Sequence, residues 1–276
     1  MELDARRAGP ASQFDGFPGL MKKPLQVGWL FAQDQSAVVY FPPRRLDWPA
    51  RRGPLNPGGG ATDCPAIADL ARQYYVVDSP FSIGLRCTRL VPGQSFLYDV
   101  VPVPDRKTLT LATLQKVLQV MPPAVWESPE RPTLQLMLPY LFISDESVLV
   151  EQTPAFLSPG AANWPLQLYP GRFPIDVWPR QLNFSFQWID PARDILIERG
   201  QPLFYVRFLP EQRDRKIRLI EAERTRELEN FLSSVRDVTG VVDRSFGLLA
   251  RAAELRPPKL LVAKQSYRSS PPAEPD

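Results

Sequence analysis

The sequence contains no histidine in its 276 residues. Without an imidazole the chain cannot form Ser-His-Asp or Cys-His catalytic sets, two-histidine-one-carboxylate iron sites or the usual histidine-containing zinc sites. Cysteine is nearly absent as well, because only Cys64 and Cys87 are present and their spacing matches no metal-ligand motif. We expect both thiols to be reduced and buried or half-buried, with a disulfide between them as the alternative. The sequence predicts no metal site and no cofactor.

Long hydrophobic runs and a strong charge of either sign are also missing. No apolar run approaches the roughly 20 residues that span a bilayer. The first 23 residues carry acids, glycine and proline where a signal peptide has its apolar segment. The 33 basic and 30 acidic residues give a net charge of only +3 and are scattered along the chain. We therefore predict a soluble, cytoplasmic protein that binds neither membranes nor nucleic acid.

Proline is abundant, with 32 residues that separate short apolar runs. Such punctuation indicates many sheet edges and turns. We predict a mainly β fold, either an antiparallel sandwich or a jelly-roll-like barrel, followed by a C-terminal helical hairpin. The predicted divisions are a flexible N-terminal arm at 1–23, a β-rich domain at 24–210, a helical hairpin at 211–260 and a disordered tail at 261–276.

Alternating apolar and polar residues predict strands throughout the β-rich domain. A first hairpin is expected from 25–31 and 35–41, two strands from 74–91, one from 95–103, and a second hairpin from 134–145 and 147–157 that turns at Asp145 and Glu146. Pro139 within the last pair indicates an edge strand or a bulge. Short helices are predicted at 63–73 and within 106–121. The loop at 41–65 contains a triple glycine but lacks the Lys-Ser/Thr of a phosphate-binding loop, so we expect a mobile loop.

The stretch from 169 to 210 has the best-formed strand pattern of the chain. Phe184, Phe186 and Trp188 alternate with Ser185 and Gln187. Turn residues follow at spacings near ten, so we predict a four-stranded β-meander at the centre of the sandwich.

The composition changes after residue 210, where proline disappears and Glu, Arg and Leu dominate until residue 257. An apolar stripe at helical spacing predicts a first helix. Its members are Ile217, Ile220, Leu228, Phe231, Leu232 and Val235. A second helix is predicted at 242–255. This helical hairpin packs either on the sheet or against another subunit, and the second case predicts a homo-oligomer through the helices at 214–256.

One group of polar side chains within 169–210 is a candidate site for a small polar ligand: Arg172, Asp176, Trp178, Arg180, Asn183 and Gln187. A tryptophan ring beside amides, an acid and guanidinium groups offers the stacking area and directed hydrogen bonds that a sugar or nucleoside requires. The alternative is the solvated face of a sheet, with Trp178 packed beneath the helices. Two further pairs of acids, Asp145 with Glu146 and Asp190 with Asp194, are expected to form turns.

Two resemblances extend this reading. The strand LNFSFQW and the segment ILIERGQPLFYVRFLP, joined through the turn at Arg199-Gly200-Gln201, resemble the closing strands of β-clip proteins of the dUTPase and dCTP deaminase class. That resemblance implies a β-clip-like barrel, but the uridine-binding hairpin and acidic base of the class have no counterpart here. The segments FPIDVWPRQLNFSFQW, ERGQPLFYVRF and LMLPYLFISDE, over residues 120–260, are similar to an uncharacterised family of β-rich proteins from tailed phages and bacteria. This implies a phage-related origin, in the host cytoplasm or the virion.

The sequence therefore predicts a non-catalytic binding or structural protein, phage-related if the second resemblance holds. The alternative is a nucleotide- or sugar-binding protein, or a histidine-independent enzyme, that uses the face formed by Trp178, Asp176 and Arg172. The two differ in what surrounds Trp178, which is either a concave pocket or the helical layer.

Overall fold

The computed structural model describes residues 23–32, 39–47, 64–212, 215–238 and 245–264. Residues 1–22 of the predicted arm and 35–38 of the predicted strand at 35–41 lie outside these ranges, as do most of the loop at 41–65 and most of the tail at 261–276. Residues 39–41 of that predicted strand are described and form no strand. The strands within them are β1 Leu25–Phe31, β2 Arg44–Arg45, β3 Tyr74–Asp78, β4 Ile83–Val91, β5 Ser95–Val100, β6 Leu118–Val120, β7 Thr133–Ile143, β8 Val148–Pro154, β9 Leu166–Leu168, β10 Gly171–Pro174, β11 Gln181–Trp188, β12 Ile195–Ile197, β13 Pro202–Pro210 and β14 Ile217–Glu221. The helices are α1 Pro65–Arg72, α2 Leu111–Leu114, α3 Pro159–Ala162, α4 Arg226–Val238 and α5 Ser245–Leu255.

The predicted mainly β fold is confirmed, and its strands form a sandwich in which no described sheet closes into a barrel. A six-stranded sheet has the order β14-β1-β7-β11-β9, with β6 also paired to β7. A five-stranded sheet has the order β10-β8-β13-β3-β2, and a three-stranded sheet has the order β12-β4-β5. Alternate residues of all three sheets meet in one apolar core, in which Trp188, Phe184 and Phe204 are almost fully buried.

Pro139 lies inside β7, which is paired on both sides and so is not an edge strand. The register against β11 is irregular at this point, because Gln181 pairs with Leu141 while Asn183 pairs with Met137. The chain therefore bulges around the proline, which has no backbone N–H to give to a regular ladder. The bulge predicted as one of two alternatives is confirmed.

The predicted four-stranded meander at 169–210 is wrong. Its four strands, β10 to β13, exist, but none pairs with the next. Strands β10 and β13 belong to the five-stranded sheet, β11 to the six-stranded sheet and β12 to the three-stranded sheet. Alternation shows that a segment has one face toward a core, but it does not show which other strand supplies its hydrogen bonds.

The predicted hairpin around Asp145 and Glu146 is also wrong. The turn connects β7 in one sheet to β8 in the other, so the chain crosses the sandwich here. Both flanking strands direct alternate apolar residues into the shared core, among them Phe142 and Val148. Strands β7 and β8 therefore have the periodicity of a hairpin without its pairing.

The predicted helix is wrong at residues 217–221, where the chain forms β14 and pairs in parallel with β1. Ile217 and Leu219 pack against the core because β1 offers a free edge to this segment. The helix begins only at Arg226. There Leu228, Phe231 and Val235 are buried in a second cluster with Leu141 and Ile143 on the outer face of the six-stranded sheet.

The apolar stripe of α4 is thus covered by the chain's own sheet, and a homo-oligomer through this segment stays a prediction. The predicted disordered tail begins at residue 261, but Leu261 packs in the second cluster and is only 7% exposed. In the described part of the chain, none of the helices has the length and apolar character needed to cross a bilayer.

Candidate functional site: an amide face on the six-stranded sheet

Four strands of the six-stranded sheet carry the same local pattern, a glutamine between two apolar residues. These triplets are Leu118-Gln119-Val120, Leu134-Gln135-Leu136, Leu166-Gln167-Leu168 and Phe186-Gln187-Trp188. Neighbours in a strand point to opposite faces, so burial of the leucine or phenylalanine directs the glutamine outward. Because β6, β7, β11 and β9 lie side by side, the four glutamines come to one face of one sheet.

Register places further uncharged polar side chains between these glutamines. Gln135 pairs with Gln119 on one side and Ser185 on the other. Gln187 pairs with Gln167 and Thr133. We call the resulting surface the amide face, and its members are Gln119, Thr133, Gln135, Met137, Gln167, Tyr169, Asn183, Ser185 and Gln187. It is roughly 14 Å across the strands and roughly 14 Å along them, from strand spacing and rise.

Several side chains of the amide face hydrogen-bond one another. Gln187 Nε2 donates to Gln167 Oε1 at 3.2 Å, and Ser185 Oγ donates to Gln135 Oε1 at 3.2 Å. The hydroxyls of Tyr169 and Thr133 are 3.2 Å apart. The backbone N–H of Tyr169 donates to Ser185 on the β9 side of β11, whereas Thr133 lies on β7, on the opposite side of β11. The tyrosine ring therefore crosses over β11. This crossing explains why Gln187 is only 3% exposed on an outward face.

Two amide oxygens on this face have no hydrogen-bond partner among the described residues, namely Asn183 Oδ1 and Gln187 Oε1. Both atoms are shielded from solvent. A buried acceptor without a donor costs about 1–3 kcal/mol, and native proteins contain few of them. Two such acceptors lie on this one face.

The helical layer limits the amide face on one side. The outward residues of β7 are polar at Thr133 and Gln135 but apolar at Leu141 and Ile143, which lie under α4. The outer face of the sheet is thus divided into an apolar half covered by helices and a polar half that α4 and α5 leave uncovered. Gln119 and Gln167 at its margins are exposed.

The six residues predicted as one site are divided among three places, so the structure does not gather them. Only Asn183 and Gln187 lie on the amide face. Arg172 is on β10 at the edge of the other sheet, where it forms an ion pair with Glu151. The expectation that its face coincides with that of Asn183 is wrong, because the two strands belong to different sheets.

Trp178, Asp176 and Arg180 lie where the chain meets the C-terminal segment. Trp178 is half-buried against the second cluster, to which α4 and α5 contribute. The Arg180 guanidinium lies over its ring, 4.9 Å from the centroid. Asp176 accepts a hydrogen bond at its backbone carbonyl from Arg256 Nε. These contacts join the β-sandwich to the helical segment. Trp178 therefore packs against the helices, which was the alternative to a ligand-binding face.

The acids considered at the sequence level form structural contacts. Asp194 binds Arg86 through two hydrogen bonds of 2.9 and 2.7 Å, and Asp190 accepts from the backbone of its own turn at Ala192. Glu146 forms an ion pair with Arg215. Among residues that the structure describes, no three cysteine or carboxylate side chains converge as a metal site would require. Cys64 and Cys87 are both free and half-buried, as predicted.

Glu151 lies between Arg172 and Arg207 with only 14% of its side chain exposed. Burial alone raises the pKa of this carboxyl, but the two guanidinium groups outweigh burial and hold its pKa below the usual value. A lowered pKa in the folded state stabilises the fold at pH values above the unfolded-state pKa, and that stabilisation is lost as the pH falls through the folded-state pKa.

We therefore expect the Glu151→Gln variant to lose on the order of 1 kcal/mol of unfolding free energy at pH 7 and much less at pH 3. Urea denaturation of the variant and the parent at both pH values measures this difference. An equal loss at the two pH values would contradict the assigned role of the carboxylate charge.

Two members of the amide face, Asn183 and Gln187, are among the residues predicted from the sequence, and the other seven are not. The signal was present as the repeated apolar-glutamine-apolar triplet, which occurs on four strands up to 68 positions apart in the numbering. Each triplet alone is an ordinary strand fragment. Only the order of the strands within the sheet makes them neighbours.

The fold and the amide face define a β-sandwich protein with an uncharged polar sheet surface. Comparison with protein-family models finds no match to the chain, and comparison with curated proteins finds none either. The resemblances to β-clip and phage proteins therefore stay predictions.

Proposed function

We propose that this protein is a non-catalytic binding protein that recognises a neutral carbohydrate on the amide face. The observation that carries the proposal is the pair of buried amide oxygens, Asn183 Oδ1 and Gln187 Oε1, without donors. A sugar hydroxyl supplies the missing donor once the Tyr169 ring moves aside, and it also accepts from the amide nitrogens nearby. A bound hydroxyl would thus relieve a cost that the free protein carries.

The composition of the amide face favours a neutral ligand over a charged one. None of its nine members is ionisable near neutral pH, so no charge on the face compensates a phosphate or an ammonium group as that group loses its water. Tyr169 and Met137 add apolar area against which the C–H surface of a sugar ring packs. The area of roughly 14 Å by 14 Å accommodates a short oligosaccharide better than a single small ion.

The same composition favours binding without catalysis. Glycoside hydrolysis in its general form needs two carboxyl groups on either side of the scissile bond. The amide face has none, while Asp190 accepts from Ala192 N in its own turn and Asp176 accepts from Val148 N. Binding by amides and an aromatic ring is the function that these side chains support best.

The proposal predicts that two substitutions weaken binding without weakening the fold. Gln187→Met and Asn183→Leu each replace an unpartnered acceptor by an apolar group of similar size. Gln187→Met also removes the hydrogen bond to Gln167 Oε1, but Gln167 is exposed to water, so we expect little net change in stability. We expect at least a tenfold loss of affinity, equal to about 1.4 kcal/mol, with little change in the thermal midpoint. Binding of the full chain is measured on an array of neutral oligosaccharides and then by titration calorimetry.

The control is Gln26→Met, which alters an exposed glutamine of the same sheet away from the amide face. It should bind like the parent. The proposal fails if the parent protein binds no neutral oligosaccharide at millimolar concentration. It also fails if binding is found but both Gln187→Met and Asn183→Leu retain it.

A further inference from the structure

A cavity of about 340 Å³ opens at the edge of the sandwich, beyond β9. Its floor is formed by Leu168, Phe184 and Leu203, which belong to the main core and are 1–3% exposed. The cavity therefore reaches from the surface into the centre of the sandwich. Its size is at the lower end of the roughly 300–1,000 Å³ typical of small-molecule sites.

The lining of the cavity is apolar. Gln167 is its only polar side chain, and none of the lining residues is charged. Trp164 forms part of the wall and makes an edge-to-face contact with Phe184 at a centroid distance of 6.3 Å. An ion entering this space would lose its hydration without compensation, whereas an uncharged apolar molecule would gain contacts.

The mouth of the cavity has two exposed apolar side chains. Phe156 is 45% exposed and Ile189 is 39% exposed, and both line the opening. A single exposed apolar residue is common on protein surfaces, but two at the entrance of an apolar cavity that reaches the core form a continuous path for an apolar molecule.

The walls are held in place by contacts that do not involve the cavity. Arg193 Nη2 donates to the carbonyl of Asn163 at 2.9 Å, next to Trp164. Gly160 on α3 lies so close to Gln201 that a Cβ atom would be 2.2 Å from its Nε2. The helix therefore packs against the side chain of Gln201 in the turn before β13.

We propose that this cavity is a binding site for a small, uncharged, aromatic molecule. Aromatic groups fit because the rings of Trp164, Phe184 and Phe156 all line the space. The site is separate from the carbohydrate surface, since only Gln167 borders both, and it rests on different observations.

The test uses N-phenyl-1-naphthylamine, an uncharged aromatic dye whose emission rises in apolar surroundings. We expect saturable binding of one dye molecule per full-length chain, accompanied by quenching of tryptophan emission. The Ala162→Phe variant places a ring in the cavity from an exposed position on α3, and we expect at least a tenfold weaker affinity. Ala66→Phe, an equal change at an exposed position of α1, should bind as the parent does.

A second variant keeps the test independent of how well the ring in Ala162→Phe fits. Trp164→Phe preserves an aromatic wall, and it should retain dye binding while losing the part of the quenching that comes from Trp164. The proposal is overturned if the parent shows no saturable one-to-one binding. It is also overturned if Ala162→Phe and Ala66→Phe bind the dye equally, or if the quenching in Trp164→Phe equals that of the parent.

Discussion

The Gly84→Ala variant is expected to lose about 3–4 kcal/mol of unfolding free energy, because β4 has no room for a methyl group at this position. A Cβ atom added to Gly84 would lie 2.1 Å from the carbonyl oxygen of Val101. That atom belongs to the backbone and cannot rotate away as a side chain can. The Gly84 carbonyl also accepts the hydrogen bond of Val101 N at 3.0 Å, so the two backbones must separate and weaken this contact.

Gly84 lies in the central strand of the three-stranded sheet, where it is also paired with Leu196 of β12. A displacement of β4 therefore disturbs both neighbours. Urea denaturation followed by tryptophan fluorescence measures the loss. The matched control is Gly171→Ala, where nothing lies within 4 Å of the added atom, and we expect a change within about 0.5 kcal/mol. A loss of unfolding free energy below about 1 kcal/mol for Gly84→Ala would contradict the prediction, because it would mean that the two strands separate at little cost.

The Asp145→Ala variant is expected to lose about 3–5 kcal/mol and to release the C-terminal segment from the sheet. Asp145 Oδ1 accepts from Leu260 N at 2.7 Å, from Leu261 N at 3.1 Å and from Arg256 Nη2 at 3.1 Å. Both leucines are buried in the second cluster. Removal of the carboxylate leaves their backbone N–H groups and the guanidinium without this acceptor.

Limited proteolysis and urea denaturation both test this prediction. Cleavage near residues 256–264 should become faster in Asp145→Ala. The adjacent Glu146→Ala variant is the control, because the Glu146 side chain is 52% exposed and its ion pair with Arg215 should contribute less than about 1 kcal/mol. Equal stability losses in the two variants would mean that Asp145 does not hold the segment.

Only two of the six predicted site residues, Asn183 and Gln187, lie on the amide face, and the pattern around them explains why. Asn183 and Gln187 were identified because they alternate with phenylalanines along one strand. Arg172, four positions before Asp176, was grouped with them because neighbouring strands in sequence were assumed to pair. Sequence proximity fails here since β10 and β11 enter different sheets.

The helical prediction failed for a related reason. Residues 217–221 contain Ile-Arg-Leu-Ile-Glu, a pattern that fits one turn of an amphipathic helix and a short strand equally well. Charged neighbours at helical spacing favoured the helix. The segment forms a strand because pairing with the free edge of β1 satisfies its backbone groups and buries Ile217 and Leu219 together.

The sequence by itself determined the fold class and the chemistry that is excluded. Alternating apolar residues between prolines specify strands with one buried face, and the lack of histidine removes whole classes of catalytic and metal sites. The tertiary structure alone decided which strands share a sheet, as when β13 pairs with β3 more than 120 positions earlier. Backbone hydrogen bonds are the same for every sequence, so the choice of partner depends on how side chains from distant segments fill one core. The amide face and the aromatic cavity both follow from that choice.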